Sequence, residues 1–391
     1  MLDMDLGTDR KYLVLQGGGA LGAYQAGAYE ALHEAGVRPE WIAGISIGSI
    51  NAAIIAGSPE KRRVDNLRRF WETATSGPTS LPFRTGPLIR KWLNEYSAAF
   101  SATSGVNGFY IPRSMMPWQY AAEPKAAISV YDTTPLIDTL NELVDFDRIN
   151  HGAIRLSLGA VEVETGNFAY FDTHPCRLRK EPVPLTAHHV AASGALPPGF
   201  PPVEIDGKHY WDGGLVSNTP FQWVIDERNT REDICVFQVD LFSALGELPR
   251  DMSDVLAREK EIRFSSRTRL NTNEAARHER YEKALRRLLG KLPPDLANDP
   301  DVNYLKSQDD RGAVTAVHLI YARKPYETHS MDNEFSRLTM EEHWRAGYDD
   351  VVKTFASPQW KNRVIPNDGF VAIDYRRDHA RPEGGLHEPA R

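Results

Sequence analysis

The chain alternates short unbroken apolar runs with stretches in which apolar residues recur every three or four positions, the pattern of buried strands alternating with amphipathic helices. Tyr12-Leu-Val-Leu-Gln16 reads as a first strand that runs directly into Gly17-Gly-Gly-Ala-Leu-Gly22. Leu21, Tyr24, Ala28, Leu32 and Ala35 then share one helical face, which stops at Gly36. The next strand, Trp41 to Ile45, is cut by Gly44-Ile-Ser-Ile-Gly48, after which small and apolar residues predict a helix as far as Gly57. Val64, Leu67, Trp71 and Ala74 mark a further helix.

From Ser76 to Lys125 the periodicity fails. This stretch is rich in Gly, Pro, Ser and aromatics, with one helix expected around Leu88 to Phe100; a cap over the preceding turn and a long surface insertion both suit it. Order returns at Thr134-Pro135, read as a cap with proline at the first helical position, before the buried face of Leu136, Leu140 and Leu143. Ile154 to Val163 and Phe168 to Asp172, joined through Glu164-Thr-Gly-Asn167, predict a hairpin. A short helix, Thr186 to Ser193, leads into Gly194-Ala-Leu-Pro-Pro-Gly-Phe-Pro-Pro202. Asp206-Gly207, between Val203-Glu-Ile and Lys208-His-Tyr-Trp, predicts a tight hairpin that delivers the chain to Asp212-Gly213-Gly214. Ile234 to Phe242 and Val314 to Ala322 read as later strands, and Met340 to Phe355 as a last helix.

With 391 residues, 41% of them hydrophobic and 25% charged, the chain can hold one large α/β domain with an extension, or two domains. A net charge of −7 argues against a general nucleic-acid binder. Cys176 and Cys235 supply neither a disulfide framework nor a metal spacing and read as buried thiols. No carboxylate or histidine cluster has ligand spacing, so neither a metal nor another cofactor is expected. The acidic start lacks the build of a secretion signal, and no run reaches the roughly 18 apolar residues that cross a bilayer. A cytoplasmic location, peripheral to the membrane if it meets one, is the expectation. Between Arg258 and Lys291, 11 Lys/Arg stand against 5 Asp/Glu, and Tyr281, Leu285, Leu288, Leu289 and Leu292 form a helical stripe. A membrane-surface helix has this build; so has a helix packed on the core with a solvated basic face, which is the preferred reading. The charged tail from Asp374 is expected to fray.

Three features carry candidate chemistry. Ser46 sits in G-x-S-x-G between a strand and a helix, the sequence form of a nucleophile elbow, where the glycines keep bulk from a strained turn. Gly17, Gly19 and Gly22 fit G-x-G-x-x-G, but no acid closes the second strand to hold a ribose. The other use of such a loop is as an oxyanion hole, with the bare amides of Gly17, Gly18 and Gly19 converging on one oxygen. Asp212, at a strand end before Gly213 and Gly214, is either a turn former or the base that a nucleophilic serine needs. A Ser-His-Asp triad is the competing arrangement. Against it, the elbow follows the second strand, and His188, His189, His209, His318 and His343 all fall within helix or strand patterns. Aromatics of the irregular stretch (Phe83, Trp92, Phe100, Phe109, Tyr110, Trp118) would line an acyl groove or form that stretch's own small core.

Gly17-Gly-Gly-Ala-Leu-Gly22, Gly44-Ile-Ser-Ile-Gly48 and Asp212-Gly-Gly214, in that order and with the proline-bearing Ala192 to Pro202 before the aspartate, resemble the motifs of the patatin-like phospholipases. The resemblance covers about residues 11 to 225; beyond about 230 the chain is similar to an extension found in some bacterial members. It implies a patatin-like three-layer α/β/α sandwich with a mostly parallel central sheet. A catalytic domain would span 11–225, a mainly helical extension with one late strand 230–375, and a frayed tail 376–391. It also implies a cofactor-free lipid acyl hydrolase in which Ser46 is the nucleophile, Asp212 the base and the Gly17 to Gly19 amides the oxyanion hole. Gly22, Gly44, Gly48, Gly213 and Gly214 are the supporting motif glycines. Where many members carry a basic residue, this chain has Leu21, so the hole would rest on backbone donors. Phospholipids, neutral glycerides, thioesters and hydroxyacyl polyesters all suit the chemistry, and a non-catalytic lipid-binding protein on the same fold stays open.

Overall fold

The computed structural model describes residues 6–77, 86–115, 117, 128–228, 231–265, 268–293, 296, 298–307 and 311–376. Its strands are β1 (Arg10–Leu15), β2 (Trp41–Ile45), β3 (Ile111–Pro112), β4 (Tyr131–Asp132), β5 (Arg155–Glu162), β6 (Phe168–Asp172), β7 (Val203–Ile205), β8 (Lys208–Asp212), β9 (Ile234–Asp240), β10 (Val314–Ile320) and β11 (Phe370–Ile373). The helices before residue 230 are α1 (Gly22–Glu34), α2 (Ile47–Ala56), α3 (Arg63–Ala74), α4 (Pro87–Ser104), α5 (Thr134–Leu143), α6 (Phe146–His151), α7 (Ala187–Ser193) and α8 (Phe221–Glu227). After it come α9 (Met252–Phe264), α10 (Thr268–Leu289), α11 (Pro300–Ser307), α12 (Arg337–Ala356) and α13 (Pro358–Lys361).

The main sheet runs β11-β10-β9-β1-β2-β5-β8-β7, with β6 added on β5. From β11 to β5 every neighbouring pair is parallel, whereas β6, β7 and β8 join antiparallel. Parallel strands need both faces covered, which is why their sequences are apolar at every position rather than at alternate ones. Leu13, Leu15 and Ile42 face a cluster built with α1, α2, α3 and α12. Tyr12, Val14, Trp41 and Ala43 face a second cluster built with α8 and α10. The result is the expected α/β architecture, a mostly parallel sheet between helical layers with a largely helical C-terminal part. Strands from both sides of residue 230 share this sheet, since β9 lies directly against β1.

The C-terminal part is also fastened through α12, which crosses α1 at two glycines. A Cβ on Gly27 would lie 1.8 Å from the Trp344 carbonyl oxygen, and one on Gly347 would lie 2.0 Å from that of Tyr24. Around this contact Tyr24 donates to Asp350 at 2.8 Å and Tyr348 to Glu34 at 2.6 Å.

Several expectations shift. The α5 cap is one residue earlier: Thr134 is already helical, and its amide and hydroxyl both donate to Asp132. Helix α4 extends to Ser104. Strand β11 went unread because four apolar residues after Gly369 carry no period of their own. On α10 the buried face is Thr272, Ala275 and Glu279 rather than the leucine stripe; Tyr281 and Leu288 are exposed. What turns the helix is the Glu279–Arg228 ion pair at 2.6 Å, with both side chains sealed from water. Cys235 is buried, which pushes its thiol up to about 12, but Cys176 is only half-buried. No described helix is long and apolar enough to cross a membrane. Phe83, Trp118 and the tail beyond Arg376 lie outside the described residues.

Because the α1–α12 crossing leaves no room for a side chain, Gly27→Val should destabilise the whole chain by about 1–3 kcal/mol or more. Chemical denaturation reads this directly; an unchanged midpoint would mean that the two helices are not in backbone contact.

Candidate active site

Strand register decides what meets at the sheet's upper edge. Along one side of β5 lies β6; along the other lies β2, pairing as far as Ile45 opposite Gly159, and then β8, whose last residue Asp212 pairs with Ala160. Running in opposite directions, β2 and β8 therefore end head to head on adjacent residues of β5. Ser46, the residue after β2, and Asp212, the last of β8, are brought together by that geometry. The Ser46 hydroxyl lies beside the Asp212 carboxylate, close enough to pull its pKa downward.

Ser46 has φ 56° and ψ −126°, left-handed backbone that a side chain adopts at a cost of order 1–3 kcal/mol. The surroundings enforce it. A Cβ on Gly48 would meet the Leu15 carbonyl oxygen at 2.3 Å, and one on Gly44 would meet that of Gly48 at 2.5 Å. Ser193, at the end of α7, clamps the turn. The Ser46 amide donates to its carbonyl at 3.2 Å and its Oγ at 3.1 Å. Since that hydroxyl spends its proton on the Gly159 carbonyl at 2.6 Å, the 2.6 Å contact with Ser49 has Ser49 as donor.

Asp212 is only 3% exposed. Burial pushes its carboxyl up to about 6, against the opposing pull of the nearby Ser46 hydroxyl and of a hydrogen bond from the Gly214 amide. The amide bond is 2.7 Å long. Such a carboxylate is ionised at neutral pH yet basic enough to take a proton.

The glycine loop lies beside them. Gly17 closes on Ser46, where a Cβ would come within 3.0 Å of the serine Cβ. Its N–H, however, donates to the Asn218 carbonyl at 3.2 Å. This corrects the expectation of three free amides: among the described residues only Gly18 and Gly19 of the three lack a backbone acceptor. Gly19, at φ 56°, is pressed against the Asp332 carbonyl oxygen. Below the loop, buried Gln16 accepts from the Leu241 and Phe242 amides at 2.6 and 2.9 Å and donates to Thr219 and to the Phe264 carbonyl. Asn218 donates to the carbonyls of Gly17 and Phe264, both at 3.0 Å. Neither amide, nor Ser193, was singled out in the sequence. Gln16 carried a signal, as a polar residue ending an apolar strand at the glycines; Asn218 and Ser193 carried none.

These groups open into a cleft of about 90 Å³. Ile47 and Ile50 of α2 line it, as do Phe109, Tyr110, Leu196 and Phe200. Beyond the glycine loop the wall comes from after residue 230: Phe242, Phe264 and Phe335, with Asp332 and Asn333. Asp332 is paired with Lys260 at 2.7 Å. Of the insert's aromatics, Phe109 and Tyr110 line the cleft, whereas Trp92 faces outward from α4. No histidine is among the described lining residues. His189 instead caps α7 through Thr186, with burial holding it down to about 4; His343 pairs with Glu327 in the core, and His209 with Glu164 at the surface. Among the described residues no three of His, Cys, Asp and Glu are placed to share a metal ion.

A family model described as "Patatin-like phospholipase" matches residues 13–225, and a second, described as "Patatin phospholipase", matches residues 262–367. Comparison with the curated proteins gives no match. Among solved structures, VipD from Legionella pneumophila is 16% identical, with 90% of this chain and 67% of that one covered and a TM-score of 0.38. ExoU of the type III secretion system of Pseudomonas aeruginosa, in complex with SpcU, is 16% identical over 76% of this chain and 58% of its own, with a TM-score of 0.25. The chain thus spans less than two thirds of that ExoU chain.

The buried carboxyl has a consequence for stability. Between pH about 4 and 6 the folded chain holds a proton on Asp212 that the unfolded chain has lost, so this group's contribution falls as pH rises through that window. Raising the pKa from 3.8 to about 6 corresponds, at about 1.36 kcal/mol per unit, to about 3 kcal/mol opposing folding at neutral pH. Asp212→Asn removes the charge and keeps an acceptor for Ser46 and Gly214. It should stabilise the protein by about 1–3 kcal/mol at pH 7.5, with the gain gone by pH 4. Equal denaturation midpoints at pH 7.5 would contradict a buried, uncompensated charge.

Proposed function

The chain belongs to the patatin-like phospholipase family, and on that premise we propose that it is a serine acyl hydrolase of the lipase or phospholipase A type, cleaving the carboxylic esters of lipids through an acyl-enzyme. One observation carries this reading: the Ser46 hydroxyl sits beside the buried Asp212 carboxylate, with no histidine among the described lining residues, in a largely apolar cleft. The catalytic unit on this reading is residues 11–225, with the extension over 230–375 supplying part of the wall.

Ser46 Oγ attacks the acyl carbonyl carbon as its proton passes directly to Asp212. The oxyanion that forms is held by the Gly18 and Gly19 amides and by the amino end of α2, donors that need no reorientation when the charge appears. Collapse expels the alcohol, which takes the proton from Asp212 and leaves the acyl group on Ser46. A water then enters, gives its proton to Asp212 and attacks the ester. The second collapse releases the fatty acid and returns the proton to Ser46. Aromatic and aliphatic walls suit an acyl chain, and the absence of cationic side chains among the described lining residues suits a neutral ester carbonyl better than a free headgroup charge.

Hydrolysis of a short-chain nitrophenyl ester and of a mixed lipid extract tests this. Ser46→Ala should lower turnover by on the order of 10³-fold or more; equal rates would end the enzyme reading in favour of a lipid-binding protein. Because only ionised Asp212 can accept the proton, kcat/KM should fall tenfold per unit as pH drops below about 6. Activity that stays level to below pH 4 would remove Asp212 from the role.

A further inference from the structure

Two helices beside the cleft are built inside out. On α4 the side facing the protein is polar: Arg90, Asn94, Ser97 and Ser101 are buried, and Arg90 donates to Thr339 and Glu342. Its outward side carries Ile89, Trp92 and Tyr96, with Trp92 66% exposed and its ring stacked on that of Tyr96 at 5.9 Å. Helix α9 resembles it in part, burying the charged Glu261 beside Ala257. Glu261 is buried between Arg258 and Arg323, while Met252, Val255, Leu256 and Ile262 face out, Met252 at 71% exposure. Lys91 and Asp251, 3.6 Å apart, tie the two helices together near their amino ends. A helix covered only by water turns its polar side outward; two adjacent helices that do the reverse make an apolar surface that asks for an apolar neighbour.

We propose that this face of α4 and α9 seats the protein on a lipid surface, delivering esters to the cleft. The proposal deepens the lipid-hydrolase reading and rests on it. Three observations select a lipid surface over a protein partner. Both helices lead into the cleft wall: the chain leaving α4 supplies Phe109 and Tyr110 to it, and α9 ends on Phe264, which also lines it. The stacked Trp92 and Tyr96 combine an apolar body with a polar tip, the build that settles at the boundary between headgroups and acyl chains. Finally, the charges among these residues are of both signs (Lys91 and Arg263 against Asp251 and Glu259), so attachment relies on apolar burial and does not require anionic lipid. The basic helix α10 is not part of this face.

Flotation of the full chain with phosphatidylcholine vesicles tests the proposal, using a Ser46→Ala background so that binding is read without hydrolysis. The protein should float, and adding Trp92→Asp with Leu256→Asp should weaken partitioning by on the order of tenfold. With Ser46 intact, the same pair should cleave a soluble nitrophenyl ester within about twofold of the unmodified chain, which also shows that it folds, while losing activity on vesicles. Should the aspartates unfold the chain, Trp92→Ser with Met252→Ser should still weaken flotation by about threefold or more. Failure to float, flotation indifferent to both pairs, or a dimer in light scattering that either pair dissolves would overturn the proposal, the last assigning the face to a second copy of the chain. Flotation without cleavage of any ester would sink the hydrolase reading and leave the docking face standing.

Discussion

A carboxylate sealed from water, answered by one hydroxyl and one amide and by no cation among the described cleft residues, is the constraint on which the site depends. Left to itself such a charge would draw in water or take up a proton. It persists because the sheet holds it there. β5 sets the ends of β2 and β8 against each other, so Asp212 cannot withdraw without breaking its pairing with Ala160, and the Ala195 carbonyl holds its amide from the other side at 3.0 Å. Burial raises the pKa, and in the proposed mechanism that raised pKa lets an aspartate serve as a base near neutrality without an imidazole. The same feature opposes folding, a burden offset by two apolar clusters packed on the faces of a nine-stranded sheet.

The site is also a product of the whole chain. Gln16 and Asn218 converge on the Phe264 carbonyl at the end of α9, and the Asp332 backbone presses on Gly19. These contacts fix the glycine loop from the C-terminal side, just as Ser193 fixes the elbow from the other. Residues after 230 therefore wall the cleft and hold its donors in place. Their attachment through β9 and through the α1–α12 crossing ties site geometry to the folding of the entire chain.

How much of this was legible in the sequence follows from the range over which each residue acts. The elbow and the glycine loop could be read because their glycines fall at motif spacing, although only Gly44 answers to crowding inside its own motif, from Gly48; Gly48 meets Leu15 of β1, and Gly19 meets Asp332. Asp212 was readable only as a candidate, since its partner is set by strand register rather than by spacing. Asn218 and Ser193 act across more than thirty positions in hydrogen bonds that leave no pattern, whereas Gln16, equally long in reach, showed only as a polar strand end. The commitment of the Gly17 amide to Asn218 was hidden for the same reason. On α10, apolar periodicity pointed to the leucine stripe, but the buried Arg228–Glu279 pair decides which face turns inward. Trp92 of α4, offered as a lining or core aromatic, stays outside for a similar reason: the polar Arg90, Asn94, Ser97 and Ser101 take the inward side.

The central claim, that the buried carboxylate activates Ser46 directly, is tested most directly by the rate at which a fluorophosphonate labels the protein, followed against pH in the unmodified chain and in Asp212→Asn. The account predicts a single adduct on the peptide containing Ser46, formed at a rate that falls as pH drops through about 6, and slower by on the order of 10²-fold or more when Asp212 is replaced. An adduct elsewhere, or a Ser46 adduct formed just as fast without the Asp212 carboxylate, would contradict it.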